Sequence, residues 1–166
     1  MLTVTAAAVE PVTLAQAKAH LNVLHTDSDV HIGALVSAAR AHVEMTTGRA
    51  LAAAQYMWPA GPSWQQLPLA PIAAVAAATY IDSSGARVAL PAYTVDLERG
   101  ALALGSGSLL GSKVNITFTT AAPAVVPEPL QQAILLQVQQ LWDGEDEKRR
   151  DTIAALVAPY RLNLGV

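Results

Sequence analysis

The apolar positions of this chain follow a helical period at both ends and a strand-like period in the middle. Near the start, Thr13 precedes LAQAKAHL and Gln16 stands three residues later. That is the spacing of a capping box, in which hydroxyl and amide side chains satisfy otherwise orphaned helix N–H groups, and it predicts a short first helix. A second helix is predicted from Asp27 or Ser28: Ile32, Leu35, Val36, Ala39 and Val43 recur on one face of a 3.6-residue period, and Gly48 is its natural stop. From Leu51 to about Ala121 the pattern changes, with Pro59, Gly61, Pro62, Pro68 and Pro71 cutting the chain into short pieces. ATYIDSSGARVAL reads as two strands around a turn from Asp82 to Gly85. YTVDLERGALAL reads as two more around Glu98 to Gly100, and KVNITFTT as a last strand alternating Val114, Ile116 and Phe118.

VPEPLQQAILLQVQQLWD opens a third helix, with Pro129 tolerated in the first turn because its missing donor would be unpaired anyway. Leu130, Ala133, Ile134, Val138 and Leu141 form one face, which Leu135, Trp142 and Leu136 widen. Only glutamines interrupt it, and Gln137 falls inside the apolar sector. A helix apolar around most of its circumference is normally buried from more than one side, so a partner subunit is expected as the second side. A final short helix is expected from near Asp151, ending before Pro159. Helices flanking an antiparallel β region make the fold class α+β. The organisation expected is a single domain, 1–166, with helical parts 1–50 and 122–158, a β elaboration 51–121 and a C-terminal tail 159–166.

Composition sharpens this picture. Charged residues make up 14% and hydrophobic ones 52%, with alanine supplying 33 of 166 positions. So apolar a short chain suggests burial against other subunits. No apolar run approaches the roughly 20 residues that span a bilayer, and the N-terminus lacks a basic region ahead of an apolar core. The expectation is a soluble chain with no signal peptide and no membrane partner. The absence of cysteine excludes disulfides, thiolate metal sites and a cysteine nucleophile. A net charge of −3 and a pI near 5.7 weigh against a protein that grips nucleic acid. The one basic cluster, Lys148 to Arg150, directly follows Glu145, Asp146 and Glu147, so GEDEKRRD reads as a self-neutralising solvated loop.

No constellation for catalysis emerges. His31 and His42 fall on nearly one stripe of the second helix but are about 16 Å apart at its rise per residue, and His20 and His25 show no ligand spacing. GSGSLLGSK lacks the P-loop spacing and precedes a strand, so it is no dinucleotide fingerprint and reads as a loop. Asp82, Asp96 and Glu98 sit at predicted turns. The most polar stretch, AARAHVEMTTGRAL, carries Arg40, His42, Glu44, Thr46, Thr47 and Arg49 within ten residues. Here Arg40 and Glu44 read as an i, i+4 pair on the side of the helix away from its apolar stripe, contributing a few tenths of a kcal/mol. Catalytic, cofactor-binding and metal-binding residues are all expected to be none.

The order of these pieces resembles a known family. EPVTLAQAKAHLNV, TDSDVHIGALVSAARAHVEMTTGRAL, PLAPIAAVAAATYIDSSGA, YTVDLERGAL, VNITFTT, VPEPLQQAILLQVQQLWD and ALVAPYR together look like the head-tail connector proteins of long-tailed bacteriophages. These are also called adaptor or head-completion proteins, with relatives in phage-derived gene transfer agents. The resemblance covers nearly the whole chain and implies structural work rather than catalysis. It implies a twelvefold ring of copies under the portal at the virion neck, made in the bacterial cytoplasm. That ring extends a channel through which double-stranded DNA passes without sequence-specific binding, and it offers a docking surface to a stopper or tail protein. The family's C-terminal segment commonly engages the portal, so the resemblance makes Pro159, Tyr160, Arg161, Leu162, Asn163 and Leu164 the portal-binding candidates. Arg40, Glu44, Arg49, Leu136, Gln137, Gln140 and Trp142 are the subunit-interface candidates.

Three other readings compete. A stopper or tail-terminator would serve the same neck, but such proteins are usually richer in β structure. A small enzyme would need a pocket with convergent titratable groups. A regulatory module would stay monomeric and bind some other protein.

Overall fold

The computed structural model describes residues 3–7, 9–60, 65–90, 93–96, 101–104 and 114–162. All four expected helices form. In α1 (Leu14–Leu21) the capping box is realised: the Gln16 N–H donates to Thr13 Oγ1 at 3.2 Å and the Thr13 N–H to Gln16 Oε1 at 2.8 Å. The second helix, α2 (Asp29–Thr47), ends on Gly48 at φ 69°, whose N–H bonds the Glu44 carbonyl at 2.8 Å. That left-handed conformation costs glycine little. α3 spans Glu128–Asp143, and α4 spans Glu147–Val157 before a 3₁₀ turn, Ala158–Tyr160.

The expected start of α4 near Asp151 is corrected, and with it the reading of GEDEKRRD as a loop. Asp146 caps α4, its carboxylate accepting from the N–H groups of Lys148 at 2.9 Å and Arg149 at 3.3 Å. An acid at the N-cap satisfies orphan donors and complements the helix dipole. The charged first turn hid the helix because its apolar positions begin only at Ile153.

The chain divides into two compact units. The helical unit comprises Val9–Leu51 and Pro123–Leu162. Its core joins Ile32, Val36, Ala39 and Val43 of α2 to Leu130, Ala133, Ile134 and Val138 of α3. Ala17 of α1 and Ile153 and Val157 of α4 close it. Each large aliphatic side chain buried there contributes about 1.5–3 kcal/mol of transfer free energy.

The β unit interrupts the helical one in sequence. Its five-stranded antiparallel sheet runs β1 (Thr3–Ala7), β2 (Ala54–Ala60), β8 (Val114–Thr120), β4 (Ile72–Ile81), β5 (Arg87–Ala89). The centre is β8, with Val114, Ile116, Phe118 and Thr120 buried on one face by the strand's period of two. The Phe118 ring stacks on Tyr56 of β2, centroids 5.6 Å apart and planes 22° apart. A second sheet orders β3 (Gln65–Gln66), β7 (Ala101–Leu104) and β6 (Tyr93–Asp96). The expected turn at Asp82 is present: one carboxylate oxygen accepts from the Ser84 hydroxyl and from the N–H groups of Ser84 and Ala86, and Gly85 takes φ 84°. The turn expected at Glu98 to Gly100 and the GSGSLLGSK loop lie outside the described residues. The Ala70–Pro71 peptide bond is cis.

Candidate functional site

The polar end of α2 is a buried network. Arg40 and Glu44 are each only 1% exposed. Arg40 Nη1 donates to Glu44 Oε2 at 2.5 Å, and Arg40 Nε to Glu10 Oε2 at 2.7 Å. The other Glu10 oxygen accepts from the Ser37 hydroxyl at 2.7 Å, and Glu44 Oε1 accepts the Leu51 N–H at 2.7 Å. The segment before α1, the helix itself and the chain leaving it are therefore tied to one ionic cluster.

The placement of Arg40 and Glu44 away from the apolar stripe, facing water or a neighbour, is corrected. At 100° per residue Arg40 lies about 40° from Val36, and Glu44 about 40° further on, so both border the stripe. Glu10 was not anticipated as their partner. The only hint was a lone acid just ahead of α1, too far along the chain for any local spacing rule.

α3, uncharged from Leu130 to Trp142, has α1, α2 and α4 of its own chain packed against it, with Leu141 left 44% exposed. α4, starting a turn earlier than expected, takes part of the circumference of α3, while Leu136, Gln137 and Trp142 stay half-buried. Gln140 is buried and accepts from Arg149 Nη1 at 3.5 Å, while Leu136 is half-buried against the helical core. Trp142 meets the ring of His31 at 5.7 Å. His20 Nε2 lies 3.2 Å from Gln139 Oε1, a second link between a histidine and α3.

Gln137 lines a recess of about 340 Å³ between α2, α3 and α4, together with His42, Glu145, Arg150 and Arg161. Its floor is apolar, formed by Ile153 and Val157, and its rim carries charges of both signs. The recess thus combines apolar lining with charged groups of both signs.

The C-terminal segment is fixed to the end of α2. The Leu162 N–H donates to the Thr47 carbonyl at 2.7 Å, filling a helix-terminal acceptor that has no intrahelical partner. Arg49 Nε donates to the Tyr160 carbonyl at 2.7 Å, and Tyr160 packs on the helical core. The sequence thus named Arg49 and Tyr160 separately, and the structure brings them together. Pro159 lies in the 3₁₀ turn and Arg161 is exposed. Asn163 and Leu164 lie outside the described residues.

Among the described residues no three His, Asp or Glu side chains gather as metal ligands, and no helix is long and apolar enough to cross a membrane. The Asp82 carboxyl is held below its ordinary range, chiefly by the Ser84 hydroxyl and then by the Ala86 N–H. This is turn chemistry at the surface and far from a catalytic pattern.

No protein-family model matches the chain, and neither does any curated protein. Solved structures do share its fold. A chain in the virion of a native gene transfer agent particle superposes with a TM-score of 0.66 at 24% identity, over 97% of this chain and 95% of that one. A chain in the neck of an empty gene transfer agent particle, computed with C6 symmetry, gives 0.64 at 24% identity over the same shares. One in the neck of a native particle, computed with C12 symmetry, gives 0.61 at 24% over 96% and 94%.

Proposed function

We propose that this chain is a structural ring subunit of the neck of a phage-like or gene transfer agent particle, acting as the adaptor between portal and tail. The observation that carries the reading is the fold shared over nearly the whole length with chains of such necks, including one determined with C12 symmetry. The resemblance in motif order points the same way. Both compact units belong to one adaptor domain in this reading, copies of which form a twelvefold ring. The ring's lumen passes double-stranded DNA without binding its sequence, and its far side receives the stopper or tail. A chain of net charge −3 suits a conduit in which DNA must slide. The work is structural, with no reaction to catalyse. The C-terminal segment, Pro159 to Leu164, is the portal contact, with its Tyr160 and Leu162 held at the end of α2 by Arg49 and the Thr47 carbonyl.

Electron microscopy of the chain mixed with its cognate portal tests this. Full-length protein is expected to form a ring under the portal, and a truncation after Ala158 to lose attachment. Unchanged attachment of the truncation removes the tail assignment. A ring seated below the adaptor layer instead assigns the chain as a stopper or tail-terminator.

A further inference from the structure

Among the described residues the five-stranded sheet leaves two stretches of strand edge that carry neither charge nor proline. On one side β1 (TVTAA) pairs only with β2 among the described residues, and it contains neither charge nor proline. On the other side β5 covers β4 only at Thr79 to Ile81, and the Leu90 N–H bonds the Ala78 carbonyl at 2.8 Å. From Ile72 to Ala77 no described strand lies on the side of β4 away from β8. This stretch, IAAVAA, is also uncharged. Ala73, Ala74, Ala76 and Ala77 are exposed there, as are Thr3 and Val4 on β1. Sheets normally guard their edges with lysine, proline or a covering element, because a bare row of N–H and C=O groups is a template for another strand.

Direction selects the strand that fits. Every pairing from β1 through β2 and β8 to β4 is antiparallel, so β4 runs opposite to β1. A second copy of the chain, displaced sideways and turned by a small angle, therefore brings its β1 antiparallel to the open edge of β4. The match uses two different edges at opposite ends of one sheet. That makes it heterologous, the kind of contact that generates a ring when its repeated rotation closes.

We infer that successive subunits join by strand addition, β1 of one copy lying along Ile72–Ala77 of the next; this rests on the ring-subunit reading above. Backbone hydrogen bonds supply the contact, and alanine side chains let the strands approach. Register irregularities between Val4 and Ala6 in β1, and between Ile72 and Ala74 and Val75 and Ala77 in β4, keep the joined run short. They also raise its twist, which suits a sheet that must curve around an axis.

The chain has no cysteine, so disulfide trapping reports only introduced pairs. Val4→Cys is combined in turn with Ala73→Cys, Ala74→Cys and Ala76→Cys, and each full-length double variant is assembled on the cognate portal and oxidised. At least one combination is expected to give a ladder of covalent oligomers that collapses on reduction, while Val4→Cys with Thr152→Cys on α4 gives none. Separately, Ala76→Lys puts a charge on the open edge at an exposed position. It is expected to lower ring yield at least tenfold with the circular dichroism and melting of the parent unchanged. Normal rings that give no ladder with any of the three pairs and tolerate Ala76→Lys overturn strand addition and leave the ring reading standing. An unsubstituted chain that forms no ring on its portal overturns the ring reading, and strand addition with it.

Discussion

Replacing Arg40 with methionine removes the guanidinium from the buried cluster while keeping much of its apolar stem. Glu44, 1% exposed, then keeps the Leu51 N–H at 2.7 Å but loses the Arg40 guanidinium. Glu10 loses the same partner, yet its side chain is 26% exposed and can rehydrate. Removing one member of a buried pair costs about 3–5 kcal/mol, because the other charge is left uncompensated. By contrast, the Arg150–Glu147 pair, 4.0 Å apart with side chains 64% and 83% exposed, should lose no more than about 0.5 kcal/mol on Arg150→Met. The double variant Arg40→Met/Glu44→Leu removes both charges and should recover most of the loss. It remains about 1–3 kcal/mol below the parent because the Leu51 N–H is left without its acceptor. Urea unfolding followed by helical circular dichroism measures all three, with an unchanged slope required for the comparison. The loss for Arg40→Met should also persist at high salt, since buried pairs are poorly screened. A loss below about 1 kcal/mol, or a double variant worse than the single, refutes the uncompensated-charge argument.

Three further outcomes follow from the same structure. Asp146→Ala should cost about 0.5–2 kcal/mol and raise amide exchange at Lys148 and Arg149, the two N–H groups it caps; unchanged exchange there denies the cap. Phe118→Ala, at a fully buried position stacked on Tyr56, should cost about 3–5 kcal/mol and be seen as an earlier transition in tryptophan or tyrosine fluorescence. The Asp82 carboxyl is held below 3.8, so its support of the turn is complete above that pH and is lost as pH falls through the lower folded value. The amide shifts of Ser84 and Ala86 should therefore titrate below pH 3.8 by NMR and stop titrating in Asp82→Asn; a midpoint at or above 3.8 contradicts the hydrogen bonds.

How much of this was legible depended on whether the signal was local. The capping box at Thr13, the glycine stop at Gly48, the apolar face of α2 and the alternation of Val114, Ile116 and Phe118 are all set by residues within a few positions of one another, and each was read correctly. β1 and β2 were not. TVTAA is too short and too weakly alternating to stand out, and Pro59 inside β2 read as a break although one missing donor near a strand end is tolerated. The start of α4 was obscured because its first turn is entirely charged. At the candidate site, Arg49 and Tyr160 were each named, but their contact joins residues 111 positions apart. The Arg40 cluster failed for the same reason: its decisive member, Glu10, is 30 residues away.

Much of the apolar surface of the helices is buried within the chain itself. α1, α2 and α4 pack against α3, and the apolar stripe of α2 is spent on the same core. The exposed large apolar residues are spread over the fold: Val9, Leu24 and Val125 lie in connections, Leu14 on α1, Val30 and Met45 on α2, Leu141 on α3, and Val4 and Val88 on β1 and β5. Single apolar residues in loops are ordinary and demand no partner. In the proposed assembly, backbone donors and acceptors at a strand edge supply a contact that does not draw on the packed helical core. The proposed edge pairing of β1 with β4 is of this kind. Breaking the edge pairing leaves the helical core intact, so Ala76→Lys should melt like the parent, whereas truncation after Ala158 also removes Tyr160 from the core and any variant in the Arg40 cluster should lose stability before assembly is affected.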